Sequence, residues 1–433
     1  MNSTVFENLG RGAIGMFFLL FICYLFSNNR KAINWKLVGF GLLAQICFAL
    51  GVLKVNFVKI IFGWVSGKFV EVINIGHEGT KFIFGNLADP TQSWAYVFAI
   101  QVLPNIIFFA ALSAMFYYLG VLQKIVFVFA WLLRKLGISG PESTSTAANI
   151  FLGQTEAPLM IRPFLDRMTR SEILCIMVGG MANTAGSVLA AYVGFLGGND
   201  PDMQRYFALH MLSQSIMSAP AAIVVSKILF PQTQPVMTEL KVPKEKLGDN
   251  FLDAISLGTT DGLKLAVNVG AMLIVFTALM YFANWILGTI GYRFGFNDDI
   301  ARWTGGKYQS FSLQMILGYI FSPIAWLIGV NGREMVAVGQ LLGEKTILNE
   351  FVAYMSFGDM KTKGVISDPK SILITTYALC GFANFASIGI QIGGISQLAP
   401  SQRRNLTELG LRALLGGTIA CLMCGCIAGA LYG

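Results

Sequence analysis

The sequence has 433 residues, of which 55% are hydrophobic and only 12% are charged. A soluble globular domain has about 25% charged residues, so this composition excludes a water-soluble enzyme and indicates a membrane protein. The formal net charge is +8, from 31 Lys and Arg against 23 Asp and Glu, and in a membrane protein such an excess orients the chain rather than binding nucleic acid.

Eight stretches are apolar and long enough to cross the roughly 30 Å hydrocarbon core, which takes about 20 helical residues. These predicted spans are 12–27, 36–53, 95–118, 172–197, 206–230, 262–290, 370–395 and 410–432. Residues 55–84 mix charged and large apolar side chains, which predicts an interfacial amphipathic helix. The shorter apolar stretches 121–136 and 311–329 are predicted to be helices that lie flat.

Two further segments, 139–168 and 331–357, are too rich in Ser, Thr, Asn, Gln and Glu to face lipid. Each has a Gly near its middle, Gly153 or Gly343, followed by a short second arm with a Glu, Glu156 or Glu350. Broken backbone at membrane depth is tolerated only where protein or water satisfies its polar groups. We therefore expect two re-entrant hairpins.

The order of these elements occurs twice. A span, a flat helix, a hairpin and two further spans fill 95–230, and the same series fills 262–433. Three crossings separate the two starts, so the copies enter the membrane from opposite sides, which is an inverted repeat typical of alternating-access transporters. The predicted organisation is N-terminal spans with an interfacial helix in 1–94, a first repeat in 95–230, a cytoplasmic linker in 231–261 and a second repeat in 262–433.

Positive charge predicts the orientation of the bundle. Lys and Arg concentrate in loops that are cytoplasmic if both termini lie outside. These are Arg30, Lys31, Lys36, Arg134, Lys135, Arg162, Arg167, Arg170, Lys241, Lys244, Lys246, Arg403 and Arg404.

The two hairpin glutamates are the main candidates for function. A charged residue at the centre of a membrane helix costs about 2.5–3.5 kcal/mol on insertion scales, so it indicates a functional site by default. The alternative is that each Glu only caps a helix N-terminus, which stabilises a carboxylate by about 0.3–1 kcal/mol. Capping explains one Glu but not two at equivalent positions, so we expect Glu156 and Glu350 to meet at the bilayer midplane.

Neutral polar residues surround these glutamates in the sequence. They are Asn149, Gln154 and Thr155 in the first hairpin, Asn384, Ser387 and Gln391 in a Gly-rich span that can unwind, and Asn183, Thr184 and Ser187 in a similar span, where small-residue packing is the alternative. With Phe382 and Phe385 for stacking and no Lys, Arg or His in the cluster, the pattern suits a neutral polyhydroxy or heterocyclic solute. Asn149, with carbonyls near Leu152 and Asn183, could hold a hard cation such as sodium through oxygen ligands.

At these residues the sequence resembles the concentrative nucleoside transporters. The matching motifs are Gly153-Gln-Thr-Glu-Ala-Pro, Lys345-Thr-Ile-Leu-Asn-Glu-Phe-Val-Ala-Tyr354 and Gly381-Phe-Ala-Asn-Phe-Ala-Ser-Ile-Gly-Ile390, in the family's order. The likeness extends from about residue 90 to the C-terminus.

The resemblance implies an all-α polytopic membrane protein with about eight transmembrane helices, two re-entrant hairpins and interfacial helices, assembled as a homotrimer of elevator-type transporters. It implies that Gln154, Thr155 and Glu156 contact the nucleobase, that Val188 and Phe382 pack on it, and that Glu350, Asn384 and Ser387 hold the ribose. It places sodium at Asn149, Leu152, Asn183 and Thr184. Asn183 departs from the family, which usually has a hydroxyl there, so a proton remains the alternative coupling ion.

We therefore expect a cation-coupled symporter that imports nucleosides such as uridine across the cell inner membrane, with sodium as the coupling ion. The alternatives are a proton-coupled nucleoside symporter and an intramembrane enzyme that uses Glu156 or Glu350 as general acid or base. An intramembrane hydrolase would need a nucleophile paired with a base, or a cluster of metal ligands, and the sequence has neither near these glutamates. A channel, the third option, needs a continuous polar pathway, whereas two midplane hairpins predict an occluded site. The expected partners are a nucleoside, the lipid bilayer and two further copies of the chain, without nucleic acid.

Overall fold

The computed structural model describes residues 2–88, 97–198, 200–237 and 248–432, and within these ranges the regular structure is entirely helical. The predicted fold class, an all-α membrane protein, is confirmed. Seven helical stretches are long and apolar enough to cross a membrane among the described residues. The eighth predicted span, 370–395, is not among them and consists of two short helices, Pro369–Leu379 and Phe385–Leu398, with an extended segment between them. The predicted charges at Lys241, Lys244 and Lys246 lie outside the described residues.

Three helices precede the two units that were predicted to be repeats. They are α1 (Asn2–Leu25), α2 (Trp35–Lys54) and α3 (Asn56–Phe84). The side chain of Asn34 accepts a hydrogen bond from Leu37 N and so begins α2 in the way that N-cap residues do. Helix α3 covers the predicted interfacial segment 55–84 and exposes the large apolar side chains of Phe57, Ile60 and Trp64.

The first unit occupies the middle of the chain. Its helices are α4 (Phe98–Gln101), α5 (Leu103–Tyr118), α6 (Val121–Arg134), α7 (Gly140–Ala148), α8 (Arg162–Leu165), α9 (Arg170–Ala182), α10 (Gly186–Gly197) and α11 (Pro201–Leu229). Hairpin 1 consists of α7, the loop that contains Gly153, a 3-10 turn (Ala157–Ile161) and α8. Capping boxes, Ser139 with Glu142 and Thr169 with Glu172, begin α7 and α9.

The second unit has a similar series of helices, except that its long first helix precedes the short one. Its helices are α12 (Phe251–Arg293), α13 (Phe296–Trp303), α14 (Leu313–Leu327), α15 (Met335–Ile347), α16 (Glu350–Thr362), α17 (Pro369–Leu379), α18 (Phe385–Leu398) and α19 (Arg403–Ala430). Hairpin 2 consists of α15 and α16, which meet at Leu348 and Asn349. The broken pair α17 and α18 corresponds in order to the broken pair α9 and α10.

Burial divides the helices into an inner and an outer group. Helices α9, α10, α11 and α19 are almost wholly buried and form the main hydrophobic core together with hairpin 2 and α17. Most residues of α12 are exposed, and α1, α2 and α5 are only partly covered. Because the exposed residues of the outer helices are largely apolar, these faces suit lipid or another subunit rather than water.

Segment 172–197 lies within one of the seven membrane-spanning stretches, as predicted, and its chain is extended at Asn183 between α9 and α10. One predicted detail is wrong. Gly343 does not break hairpin 2 but lies inside α15, where a Cβ would be 2.6 Å from Leu317 Cβ of α14. Its small size therefore permits close helix packing.

Candidate functional site

The tips of both hairpins and the two helix breaks enclose one cavity. Its volume is about 510 Å³, which is within the range of small-molecule sites. All eight residues predicted to bind substrate line this cavity: Gln154, Thr155, Glu156, Val188, Glu350, Phe382, Asn384 and Ser387. The structure therefore brings together residues that are separated by up to 233 positions in the chain.

Three helices begin at the cavity. The N-cap residues of α10, α16 and α18 are Ala185, Asn349 and Asn384, and all three line the cavity wall. Helix N-termini present unpaired N–H groups and a partial positive charge, which stabilises a carboxylate there. Glu350 is the first residue of α16 and benefits from this field, so the cavity tolerates a buried acid without a cation among its lining residues.

Hydrogen bonds connect the polar residues across the cavity. Asn384 Nδ2 donates to Glu350 Oε2 at 2.6 Å, and Gln154 Nε2 donates to Ser387 Oγ at 3.2 Å. Each of these bonds joins a hairpin to α18 or its N-cap. The wall thus presents a carboxylate, amides and a hydroxyl in fixed positions, which together can donate and accept hydrogen bonds.

The two glutamates differ in their surroundings. Glu156 Oε2 accepts a hydrogen bond from Gly153 N of its own loop at 3.2 Å, and its side chain makes no cap bond to the 3-10 turn that follows it. Glu350 instead accepts from the side chain of another segment, at Asn384. Both carboxylates still line the cavity and are available to a ligand.

The two broken helices contact each other directly. Phe382 N donates to Asn183 O at 3.2 Å, and Gln214 Nε2 donates to Ala182 O at 3.0 Å. A carbonyl at the end of α9 therefore accepts from the extended segment that follows α17. These bonds compensate for the helical hydrogen bonds that both breaks remove, as buried backbone requires.

Two polar residues that line the cavity, Asn268 and Asn349, were not predicted from the sequence, and one predicted residue was misplaced. Asn268 belongs to α12, and its signal was a single amide in the otherwise apolar run LAVNVGAMLIV. Phe385, predicted as a stacking residue, is 51% exposed and is not among the lining residues. The first residue of α18 points away from the cavity, whereas Phe382 in the break faces it.

The predicted ion-binding residues lie behind hairpin 1. Asn149 and Asn183 are the C-cap residues of α7 and α9, and both reach Gly179: Asn183 Nδ2 donates to Gly179 O at 3.4 Å, and a Cβ on Gly179 would lie 3.4 Å from Asn149 Nδ2. Asn149 is 1% exposed, yet neither its Oδ1 nor its Nδ2 has a hydrogen-bond partner. An unpaired buried amide oxygen between two helix C-termini, where the partial charge is negative, fits a cation.

The other two predicted ligands are less directly placed. Leu152 is buried next to this region, and the hydroxyl of Thr184 is engaged with Cys380 Sγ at 3.6 Å. Asn183 Oδ1 accepts from Ser218 Oγ at 2.7 Å. No group of three His, Cys, Asp or Glu that could hold a metal exists among the described residues. The donor set is therefore neutral oxygen, which suits a hard cation rather than a transition metal.

A second cavity of about 200 Å³ adjoins the first at Glu156 and Ala185. It lies between hairpin 1 and the helix pair α5 and α12, and its wall includes Ser187, Arg162 and Asp261. Ser187 thus faces this second cavity rather than the first. Because Gly258 and Asp261 precede the α12 residues that line the first cavity, the second cavity extends toward the N-terminal end of α12.

Family comparisons match nearly the whole chain. Residues 14–87 match the N-terminal part of the Na⁺ dependent nucleoside transporters, residues 99–199 match a nucleoside recognition domain, and residues 210–429 match the C-terminal part of the same transporters.

Relatives with a similar sequence are also transporters. An uncharacterized transporter of Haemophilus influenzae is 42% identical over 97% of both chains. Sodium/nucleoside cotransporter 1 of Rattus norvegicus is 36% identical over 96% of this chain and 63% of its own length. Solute carrier family 28 member 3 of Homo sapiens is 35% identical over 96% of this chain and 59% of its own length. The chain thus spans about three fifths of these mammalian relatives.

Solved structures in two states superimpose on the fold. The transporter CNTnw in an inward-facing substrate-bound state is 38% identical, with a TM-score of 0.87 over 98% of this chain and 99% of that one. A variant of CNTnw in an outward-facing state is 37% identical, with a TM-score of 0.88 over 98% of this chain and 97% of that one. These relatives are transporters and not enzymes, which removes the intramembrane enzyme as an alternative. The chain belongs to the Na⁺ dependent nucleoside transporters, the concentrative nucleoside transporter family.

Proposed function

We propose that this protein is a sodium-coupled symporter that imports nucleosides such as uridine across the bacterial inner membrane. The observation that supports it best is that the eight residues predicted from family motifs line one cavity of about 510 Å³. In this proposal Gln154, Thr155 and Glu156 contact the base, while Val188 and Phe382 pack against it.

The ribose end of the site consists of Glu350, Asn384 and Ser387. A carboxylate accepts hydrogen bonds from ribose hydroxyls, and hydrogen bonds to charged groups are stronger than those between neutral groups. No Lys, Arg or His occurs among the described residues that line this cavity. A nucleoside therefore fits the site, whereas its 5′-monophosphate would place a phosphate near two carboxylates without a cation to bind it.

Sodium would bind at Asn149, Leu152, Asn183 and Thr184 and couple to the nucleoside through hairpin 1. Asn149 ends α7, and Gln154, Thr155 and Glu156 follow it in the same hairpin. An ion that orders the end of α7 therefore also orders the base-binding loop. Each ligand then raises the affinity for the other by the same factor.

Alternating access would follow an elevator movement of the inner helices and hairpins against an outer scaffold that includes α5 and α12. The two predicted units, 95–230 and 262–433, would be inverted repeats, with 1–94 as N-terminal spans. The predicted cytoplasmic linker 231–261 is too long by the residues from Phe251 onward, which belong to α12. The homotrimer follows from the family resemblance, and the exposed apolar faces of α3 and α12 suit either lipid or the other subunits.

Uptake into proteoliposomes tests the proposal. We expect radiolabelled uridine to accumulate against its gradient when sodium is high outside, and accumulation to stop when a sodium ionophore removes the gradient. Unlabelled uridine should compete, and uridine 5′-monophosphate should not. Uptake that follows only a proton gradient would replace sodium with a proton, and uptake indifferent to both gradients would show a facilitator and refute the proposal.

A further inference from the structure

The C-terminal end of α17 lies at the break before α18. This helix ends at Leu379, and the chain is extended until α18 begins at Phe385. The last carbonyls of a helix have no N–H partner within the helix, and in a buried site each must find a donor elsewhere. Phe382 N is already used by Asn183 O, so the break itself does not supply that donor.

Hairpin 2 supplies two donors from its two arms. Lys345 Nζ donates to Ala378 O at 2.9 Å, and Tyr354 Oη donates to Thr376 O at 2.8 Å. Lys345 is 2% exposed and Tyr354 is 0% exposed. A cation at a helix C-terminus is also favoured by the partial negative charge there.

Neither donor lines the nucleoside cavity, but both lie close in sequence to Glu350, which does. Glu350 follows Lys345 across the turn of hairpin 2 and accepts from Asn384, the N-cap of α18. The charge of Lys345 also acts on the Glu350 carboxylate. Lys345 is therefore linked to both sides of the break between α17 and α18. It binds Ala378 at the end of α17 directly, and it is linked through hairpin 2 and Glu350 to Asn384 at the start of α18.

We propose that Lys345 is a positioning residue for the ribose side of the site, assisted by Tyr354. Its ammonium binds the end of α17 to hairpin 2 and so holds Asn384 and Glu350 at the distance that two ribose hydroxyls require. This inference rests on the proposed function, because it names what orders the nucleoside site. Lys345 contacts no substrate and acts only through Ala378 and Glu350.

A second lysine in hairpin 2 provides a matched control. Lys361 of α16 also donates to a backbone carbonyl near the end of a helix, at Leu196 of α10. Neither residue lines the nucleoside cavity. Loss of Lys361 therefore removes a helix-end hydrogen bond of the same kind without touching the ribose residues.

The test compares dissociation constants of uridine and 2′,3′-dideoxyuridine on the purified full-length protein. The ratio of the two constants does not depend on the fraction of folded protein, so a purely structural role leaves it unchanged. For Lys345→Met we expect uridine to bind about 10-fold more weakly or worse, because misplaced charged hydrogen bonds are lost. The dideoxy analogue should change by less than about 3-fold.

Tyr354→Phe removes only a hydroxyl and should shift the ratio in the same direction by a smaller factor, and Lys361→Met should leave it unchanged. If Lys345→Met yields no folded protein, Tyr354→Phe decides by the same ratio. Equal weakening of both ligands, or an unchanged ratio, overturns the positioning role. Absence of uridine binding by the unmodified protein would instead refute the proposed function.

Discussion

Replacement of Glu350 by Gln tests the ribose site most directly. The two side chains have nearly the same shape, so the change removes a charge and one acceptor without creating a cavity. Asn384 Nδ2 now donates to Glu350 Oε2 at 2.6 Å, and the carbonyl oxygen of Gln can still accept that bond. The other carboxylate oxygen is replaced by an amide group that only donates.

The expected loss follows from the hydrogen bonds that remain. Bonds to charged groups contribute about 1.5–3 kcal/mol and those between neutral groups about 0.5–1.5 kcal/mol, so each ribose hydroxyl loses about 1–1.5 kcal/mol. Two hydroxyls together lose about 2–3 kcal/mol, which corresponds to about 30- to 150-fold weaker uridine binding. The loss of a carboxylate at the start of α16 should also lower stability by about 0.3–1 kcal/mol.

Glu344→Gln is the matched control, because Glu344 is a buried carboxyl of the same hairpin that does not line the cavity. Its Oε1 accepts from Gln340 Nε2 at 2.8 Å, a bond that a Gln can keep. Isothermal titration with uridine should show the loss for Glu350→Gln alone, and thermal unfolding should show that both variants are folded. Uridine binding by Glu350→Gln at the affinity of the unmodified protein would refute the assigned role.

Three further outcomes follow from the same structure. Asn149→Ala removes an amide that has no hydrogen-bond partner, so stability should hardly fall while the increase of uridine affinity by sodium is lost in titrations with and without sodium. Asn268→Ala should weaken uridine binding about 3- to 10-fold, because one neutral hydrogen bond contributes about 0.5–1.5 kcal/mol. Gly258→Val should destabilise the protein by about 1–3 kcal/mol in thermal unfolding, because even its Cβ would lie 2.5 Å from Ala114 Cβ where α12 crosses α5.

For each of these three variants, one result would contradict the prediction. An unchanged sodium effect in Asn149→Ala would place the ion elsewhere. Unchanged uridine affinity in Asn268→Ala would mean that α12 only encloses the cavity. Normal thermal stability of Gly258→Val would show that α5 and α12 can separate without cost.

Local sequence was sufficient for much of the fold. Apolar runs of about 20 residues predicted most spans, and the polar segments 139–168 and 331–357 predicted the hairpins, because lipid excludes such residues wherever they occur. Glu156 and Glu350 were identified for the same reason. The remaining substrate residues came from motifs that resemble those of a known family.

Local sequence was not sufficient where two distant segments decide a conformation. Asn183 is extended because its carbonyl accepts from Phe382, about 200 residues later in the chain. From the sequence alone, Gly343 fits a helix break and a site of close helix packing equally well. Only its proximity to Leu317 in the structure shows that it is a site of close packing. In the sequence Asn268 is only a single amide in an apolar helix. Its place in the cavity wall depends on the packing of α12 against the hairpin tips.

The sequence by itself therefore determined that this is a helical membrane protein with two polar hairpins, each carrying a carboxylate, since hydrocarbon imposes those limits on each segment separately. Only the tertiary structure decided which groups meet: three helix N-termini at one cavity, Asn149 beside Gly179, and Lys345 at the end of α17. Such meetings depend on contacts between segments far apart in the chain, and no local periodicity encodes them.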